Sequence, residues 1–131
     1  FGGGFLVIDY GPYIKKKIST IQAIYKSNKC NIFDYPFFSD ITYHFDFLNL
    51  KEHSEKFNLK FYGPINQRQF LYFNGINERI NSLINHSQDN NVKMKLSKQF
   101  HRLTDPKGMG ELFKFVFISK NDLNLSYFKK L

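Results

Sequence analysis

Residues 2–11 read GGGFLVIDYG, and the fold turns on how they are read. The run from Phe5 to Asp9 is short and continuously apolar up to Ile8, the pattern of a strand covered on both faces in a mostly parallel sheet. It breaks off at Asp9-Tyr10-Gly11, and Gly11-Pro12 ends it. That abrupt change from apolar to polar points to a site. Gly2-Gly3-Gly4 precede the strand, whereas a phosphate-cradling loop lies between a strand and the helix after it. The triplet therefore reads as a flexible turn into the strand.

The 131 residues suffice for one domain with its own core and not for two. A 42% hydrophobic and 18% aromatic composition implies a globular chain. No run approaches the ~18 apolar residues of a membrane span, and no charged-then-apolar leader is read. Cys30 is the single cysteine, so no internal disulfide is expected and the thiol reads as packed and inert. The net charge of +8 suggests nucleic acid at first sight. However, the cations are 16 Lys and only 3 Arg, whereas base and phosphate recognition leans on the planar Arg fork. The chain is also crowded with Phe, Tyr, Ile, Lys and Asn, which have AT-rich codons, so the charge reads mainly as genomic bias. Neither nucleic acid nor a membrane is expected as partner.

Further along, Lys15-Lys16-Lys17 reads as a solvated loop. The stretch 31–47, NIFDYPFFSDITYHFDF, holds Pro36 and no helical period; it is expected to be an irregular loop packing through its rings. Asp46 looks like the N-cap of a helix to about Phe57, with Phe47, Leu50, Ser54 and Phe57 on one face. A strand over Leu59–Gly63 is expected to stop at Gly63-Pro64. Helices follow at Gln67–Phe73, closed by Asn74-Gly75, then one with Ile76, Ile80, Leu83 and Ile84 on one face, then one with Val92, Leu96, Phe100 and Leu103. TDPKGMG makes a turn, and Leu112–Ser119, apolar at nearly every position, predicts a central strand. The tail 121–131 is polar and expected to fray. Three strands and about four helices make an α/β set without internal repeats.

GGFLVIDYG, TIQA, DITYHFDF, GPINQRQFL, NGINERI and DPKGMGELFKF occur here in an order that resembles the C-terminal half of the MidA-like S-adenosylmethionine-dependent methyltransferases. Mitochondrial members of that family are complex I assembly factors described as protein-arginine methyltransferases. The resemblance implies a partial class I methyltransferase, Rossmann-like fold, of sheet order 3-2-1-4-5-7-6. Leu6–Asp9 would be strand five, Leu59–Gly63 strand six, and Leu112–Ser119 an antiparallel strand seven between them, with inserted helices. The family's glycine-rich cofactor loop, acidic ribose-binding residue and acidic-aromatic motif have no counterpart here. Residues 1–131 are thus expected to form a single partial domain, with those elements upstream of Phe1. The missing half is the expected partner, beside a protein substrate. S-adenosylmethionine is the expected cofactor of the complete enzyme, not of this chain alone. The expected location is cytoplasmic in a bacterium and mitochondrial in a eukaryote.

Ligands in open α/β sheets sit beyond the carboxyl ends of the parallel strands, which places Asp9 and Tyr10 at the cleft. A guanidinium acceptor needs carboxylates to hold it; Asp9, Asp40, Asp46 and Glu111 lie in matched motifs. Thr42 and His44 alternate with Tyr43 and Phe45, so the polar pair shares one side. Among the four histidines His44 best suits proton handling, a task to which the residue type is matched; a structural, hydrogen-bonded histidine is the competing reading. Tyr10 lines the pocket or packs under its loop, and Asp46 caps its helix, serves the chemistry, or does both. Gln67 either caps the short helix or touches substrate. Arg79 reads as a helix salt-bridge residue, and Glu111 with Lys114 as a pair. His44, His53, His86 and His101 are scattered, and no metal set is read. The alternative to an enzyme is a non-catalytic remnant or basic interaction module that binds a protein or RNA.

Overall fold

The computed structural model describes residues 2–14, 18–125 and 128, so the reading of Lys15-Lys16-Lys17 lies outside the described residues. In chain order the elements are β1 (Gly4–Tyr10), β2 (Gln22–Tyr25), β3 (Asn28–Cys30), β4 (Asp40–Thr42) and α1 (Phe47–Lys56). Then come β5 (Lys60–Asn66), α2 (Gln67–Phe73), α3 (Ile76–His86), α4 (Asn90–Thr104) and β6 (Phe113–Ser119). β6 pairs antiparallel with β1 on one side, Val7 opposite Val116, and with β5 on the other, Phe61 opposite Ile118. The sheet order is β1-β6-β5, which makes β1 and β5 parallel with an antiparallel strand between them. This is the five-seven-six wing expected of a partial class I methyltransferase fold.

Alternation along β6 divides the core in two. Val116 and Ile118 pack on one face with Phe61 and with Phe47 of α1. Phe115 packs on the other with Tyr62, Ile65 and Phe128, against Phe70 of α2. β1 departs from its expected double cover: Phe5, Leu6 and Ile8 are 52%, 42% and 51% exposed. Its ladder partner is β6 alone among the described residues, so the strand is an edge here rather than an interior one.

Asp46 caps α1 as expected, its Oδ1 accepting the Asn49 N–H at 2.9 Å. Phe47, Leu50 and Ser54 turn inward, but Phe57, the C-cap, is exposed. β5 does not stop at Gly63-Pro64. A cis Gly63–Pro64 bond sits within it, the register shifts between Tyr62 and Ile65, and pairing resumes to Asn66. Gly63 has φ +100°, and a Cβ there would meet the Phe115 carbonyl oxygen at 2.7 Å, so glycine is required at this point. The strand passes directly into α2 through an Asn66–Gln69 capping box. Ile80 and Leu83 of α3 face Leu96, Phe100 and Leu103 of α4 across a shared groove, as their spacing predicts.

The described part of the tail is held at several points. The Tyr62 hydroxyl donates to Asp122 Oδ1 and accepts from the Leu123 N–H, both at 2.7 Å, and Phe128 is buried. β2, β3 and β4 form a second antiparallel sheet of order β3-β2-β4, so that residues 40–42 of the expected loop are strand while 31–39 stay irregular. The rings of 31–47, expected to pack, divide: Phe45 and Phe47 join the core, and others do not. Tyr35 stacks on Tyr25 at 4.2 Å, whereas Phe33 and Phe38 stand in solvent and Phe37 is fully exposed at φ +70°.

Candidate functional site: the cleft at the end of β1

The carboxyl end of β1 is clamped to the segment after β4. The Phe45 N–H donates to the Tyr10 carbonyl at 3.0 Å. Gly11 permits this approach, because a Cβ there would lie 2.4 Å from the Phe45 carbonyl oxygen. The Tyr10 ring meets the His44 imidazole and the Phe113 ring edge-on, each at 5.8 Å between centroids. Asp9 turns back on its own strand end, its Oδ1 accepting the Tyr10 N–H at 2.7 Å.

A cleft of about 410 Å³ opens beside this clamp, lined by Pro12, Ile14, residues 18–21 and residues 43–46. Its two long walls are the segments entering β2 and leaving β4, so the second sheet springs from the rim of the cleft. The walls are tied together where the His44 N–H donates to Thr20 Oγ1 at 2.9 Å. Among the described lining residues Asp46 supplies the carboxylate and His44 the imidazole. Asp46 thus caps α1 and lines the cleft at once. Two polar atoms here are shut off from water without a partner, Thr42 Oγ1 and His44 Nδ1. Each costs about 1–3 kcal/mol in that state, so the arrangement is held against an energetic penalty.

The structure therefore brings His44 and Asp46 to one cleft, with the Tyr10 ring against the His44 imidazole, Thr42 two residues before His44 at the end of β4, and Asp9 at the end of β1. Gln67 is not among the lining residues: it is buried, and its Nε2 donates to the Leu103 carbonyl at 2.8 Å, joining α2 to the end of α4. Lys114 Nζ donates to the backbone carbonyl of Glu111 rather than to its carboxylate. Arg79 lies along the α3–α4 groove. His53 and His86 bond carbonyls one turn back on their own helices. Among the described residues no three His, Cys, Asp or Glu side chains gather at metal-binding distance. Sequence reasoning missed Thr20 and Gly11 as clamps and Ile18 and Ile21 as walls. Thr20 opens the quoted TIQA motif, which was the available signal.

An antiparallel strand between two parallel ones, with a cleft beyond the carboxyl end of β1, defines a partial class I methyltransferase fold. A family model described as a putative S-adenosyl-L-methionine-dependent methyltransferase matches residues 2–65. The chain is 30% identical over 114 residues to the protein arginine methyltransferase NDUFAF7, mitochondrial, of Rattus norvegicus, covering 87% of this chain and 26% of that protein. It is 32% identical to the Homo sapiens protein of the same name, covering 87% and 25%. An uncharacterized ACR, COG1565 superfamily protein from Burkholderia thailandensis superimposes with a TM-score of 0.82 at 26% identity, over 96% of this chain and 35% of that one. A COG1565 superfamily member of the same organism, solved with S-adenosyl-homocysteine bound, superimposes with a TM-score of 0.76 at 26% identity, over 95% and 34%. In all of these the chain is similar to the MidA-like, S-adenosylmethionine-dependent methyltransferases. It spans about a quarter of the length of the curated relatives and about a third of the solved chains.

Proposed function

We propose that this chain forms the acceptor side of a methyltransferase that modifies arginine side chains of a protein. The observation that carries the reading is the pairing of the Asp46 carboxylate with the His44 imidazole in one cleft at the end of β1. Asp46 attracts the guanidinium, whose planar donors match a carboxylate. The aliphatic wall of Ile14, Ile18 and Ile21 receives the methylenes of its stem. His44 accepts the proton that nitrogen alkylation releases. One carboxylate, one imidazole and aliphatic walls among the described lining residues suit a cationic side chain, and no glycine-rich turn for a nucleoside is among them. S-adenosylmethionine, which supplies an electrophilic methyl group, is accordingly assigned to the remainder of the domain, and this chain alone is not expected to bind it. The relatives named for arginine methylation support the acceptor class, and their mitochondrial designation supports that compartment for a eukaryotic source. The bacterial cytoplasm is the reading for a bacterial one.

The test is methyl transfer from tritiated S-adenosylmethionine to an arginine-rich protein. It compares the chain alone with the chain co-expressed beside the portion of the Burkholderia thailandensis protein that it does not cover. Labelled methylarginine after acid hydrolysis in the co-expressed sample only is expected. Label in neither sample, or on another residue type, overturns the reading.

A further inference from the structure

We propose that Thr42 is a positioning residue for His44: its hydroxyl oxygen accepts a hydrogen bond from His44 Nδ1–H and so leaves Nε2 as the basic atom of the ring. Thr42 Oγ1 and His44 Nδ1 are both excluded from water and both without partners. They lie two residues apart where β4 runs into the cleft wall, and alternation carried past the strand sets them on one side. The backbone of His44 is fixed by Thr20 Oγ1, and its ring is met edge-on by Tyr10. The freedom that remains is rotation of the two side chains, and under this proposal that rotation lets the two orphaned atoms meet. A neutral imidazole carries one N–H, and the partner of one nitrogen decides which nitrogen bears it. The hydroxyl oxygen carries lone pairs that can accept from Nδ1–H. The direction of the bond rests on the reading of His44 as proton acceptor, because that task needs a bare Nε2.

The experiment is long-range ¹H–¹⁵N correlation on the full chain labelled at histidine, at a pH where the ring is neutral, with His44→Gln used to assign the resonances. His44 is expected to show a protonated Nδ1 and an unprotonated Nε2. Thr42→Val, of the same shape, shifts the ring to the Nε2–H form common in unconstrained histidines, and Thr42→Ser restores the original form. A wild-type ring already in the Nε2–H form, or a pattern unchanged by Thr42→Val, overturns the proposal. The wild-type spectrum decides on its own should the valine variant not fold. Because no turnover is read, loss of the arginine assignment and loss of this one are distinguishable.

Discussion

Gly11 lies flat against Phe45, with 2.4 Å between the position of an added Cβ and the Phe45 carbonyl oxygen, and 3.0 Å to the Phe45 nitrogen. This contact brings the end of β1 to the wall of the cleft. Gly11→Ala forces the two backbones apart, against both the sheet and the Phe45–Tyr10 hydrogen bond. The expected cost is about 1–3 kcal/mol, as for other overpacked sites. It reads out as a lower urea midpoint with an unchanged slope. A midpoint equal to wild type contradicts the clamp.

Asp46 has two tasks that substitution separates. Asn caps a helix as well as Asp does, so Asp46→Asn keeps the stability of α1, whereas Asp46→Ala loses about 1 kcal/mol. Both variants remove the charge offered to a cationic acceptor. Thermal unfolding is therefore expected to distinguish Asn from Ala, while methyl transfer in the co-expressed enzyme is weakened by either. Full activity in Asp46→Asn would leave Asp46 with the cap alone.

Gln67 is bound to the Leu103 carbonyl and lies outside the cleft lining. Gln67→Met keeps the volume and leaves a buried carbonyl short of a donor, for an expected loss of about 1–2 kcal/mol. The methyl-acceptor KM of the co-expressed enzyme should stay at its wild-type value. A raised KM at unchanged stability would instead place Gln67 at the substrate.

β1 presents apolar side chains on an edge without a ladder partner among the described residues. Such an edge is a template for another strand. Sedimentation velocity of the chain alone is expected to show association that grows with concentration. Ile8→Lys, at a position already half exposed, should suppress it without lowering the urea midpoint. Equal association in both proteins would locate the contact elsewhere.

The parts of the fold legible in the sequence are those governed by local rules. Asp46 before an apolar stripe announced α1, and the uniform apolarity of residues 112–119 announced the central strand. Asn74-Gly75 marked the end of α2. What escaped depends on distant partners. β2, β3 and β4 are only three or four residues long, too short for a period, and exist because they pair with one another. Passage of β5 through Gly63-Pro64 depends on β6 resuming its bonds at Ile65. Docking of the tail depends on a tyrosine hydroxyl some sixty residues earlier in the chain. At the cleft, His44 and Asp46 were readable together because both lie in one short motif, DITYHFDF, and Tyr10, whose ring meets His44, closes the first strand. Thr20 was not assigned: it opens the quoted TIQA motif, yet a single hydroxyl before a strand looks like any loop residue.

A strand that serves two neighbours also sets a timetable. β1 and β5 share β6 as their ladder partner, and Val7 must wait for Val116 to leave the ribosome before it has a register. The second sheet suffers no such delay, because Gln22 and Thr42 are close along the chain. During synthesis the outer wall of the cleft thus takes shape early, while β1 waits for β6. The later strand gives the earlier one its place.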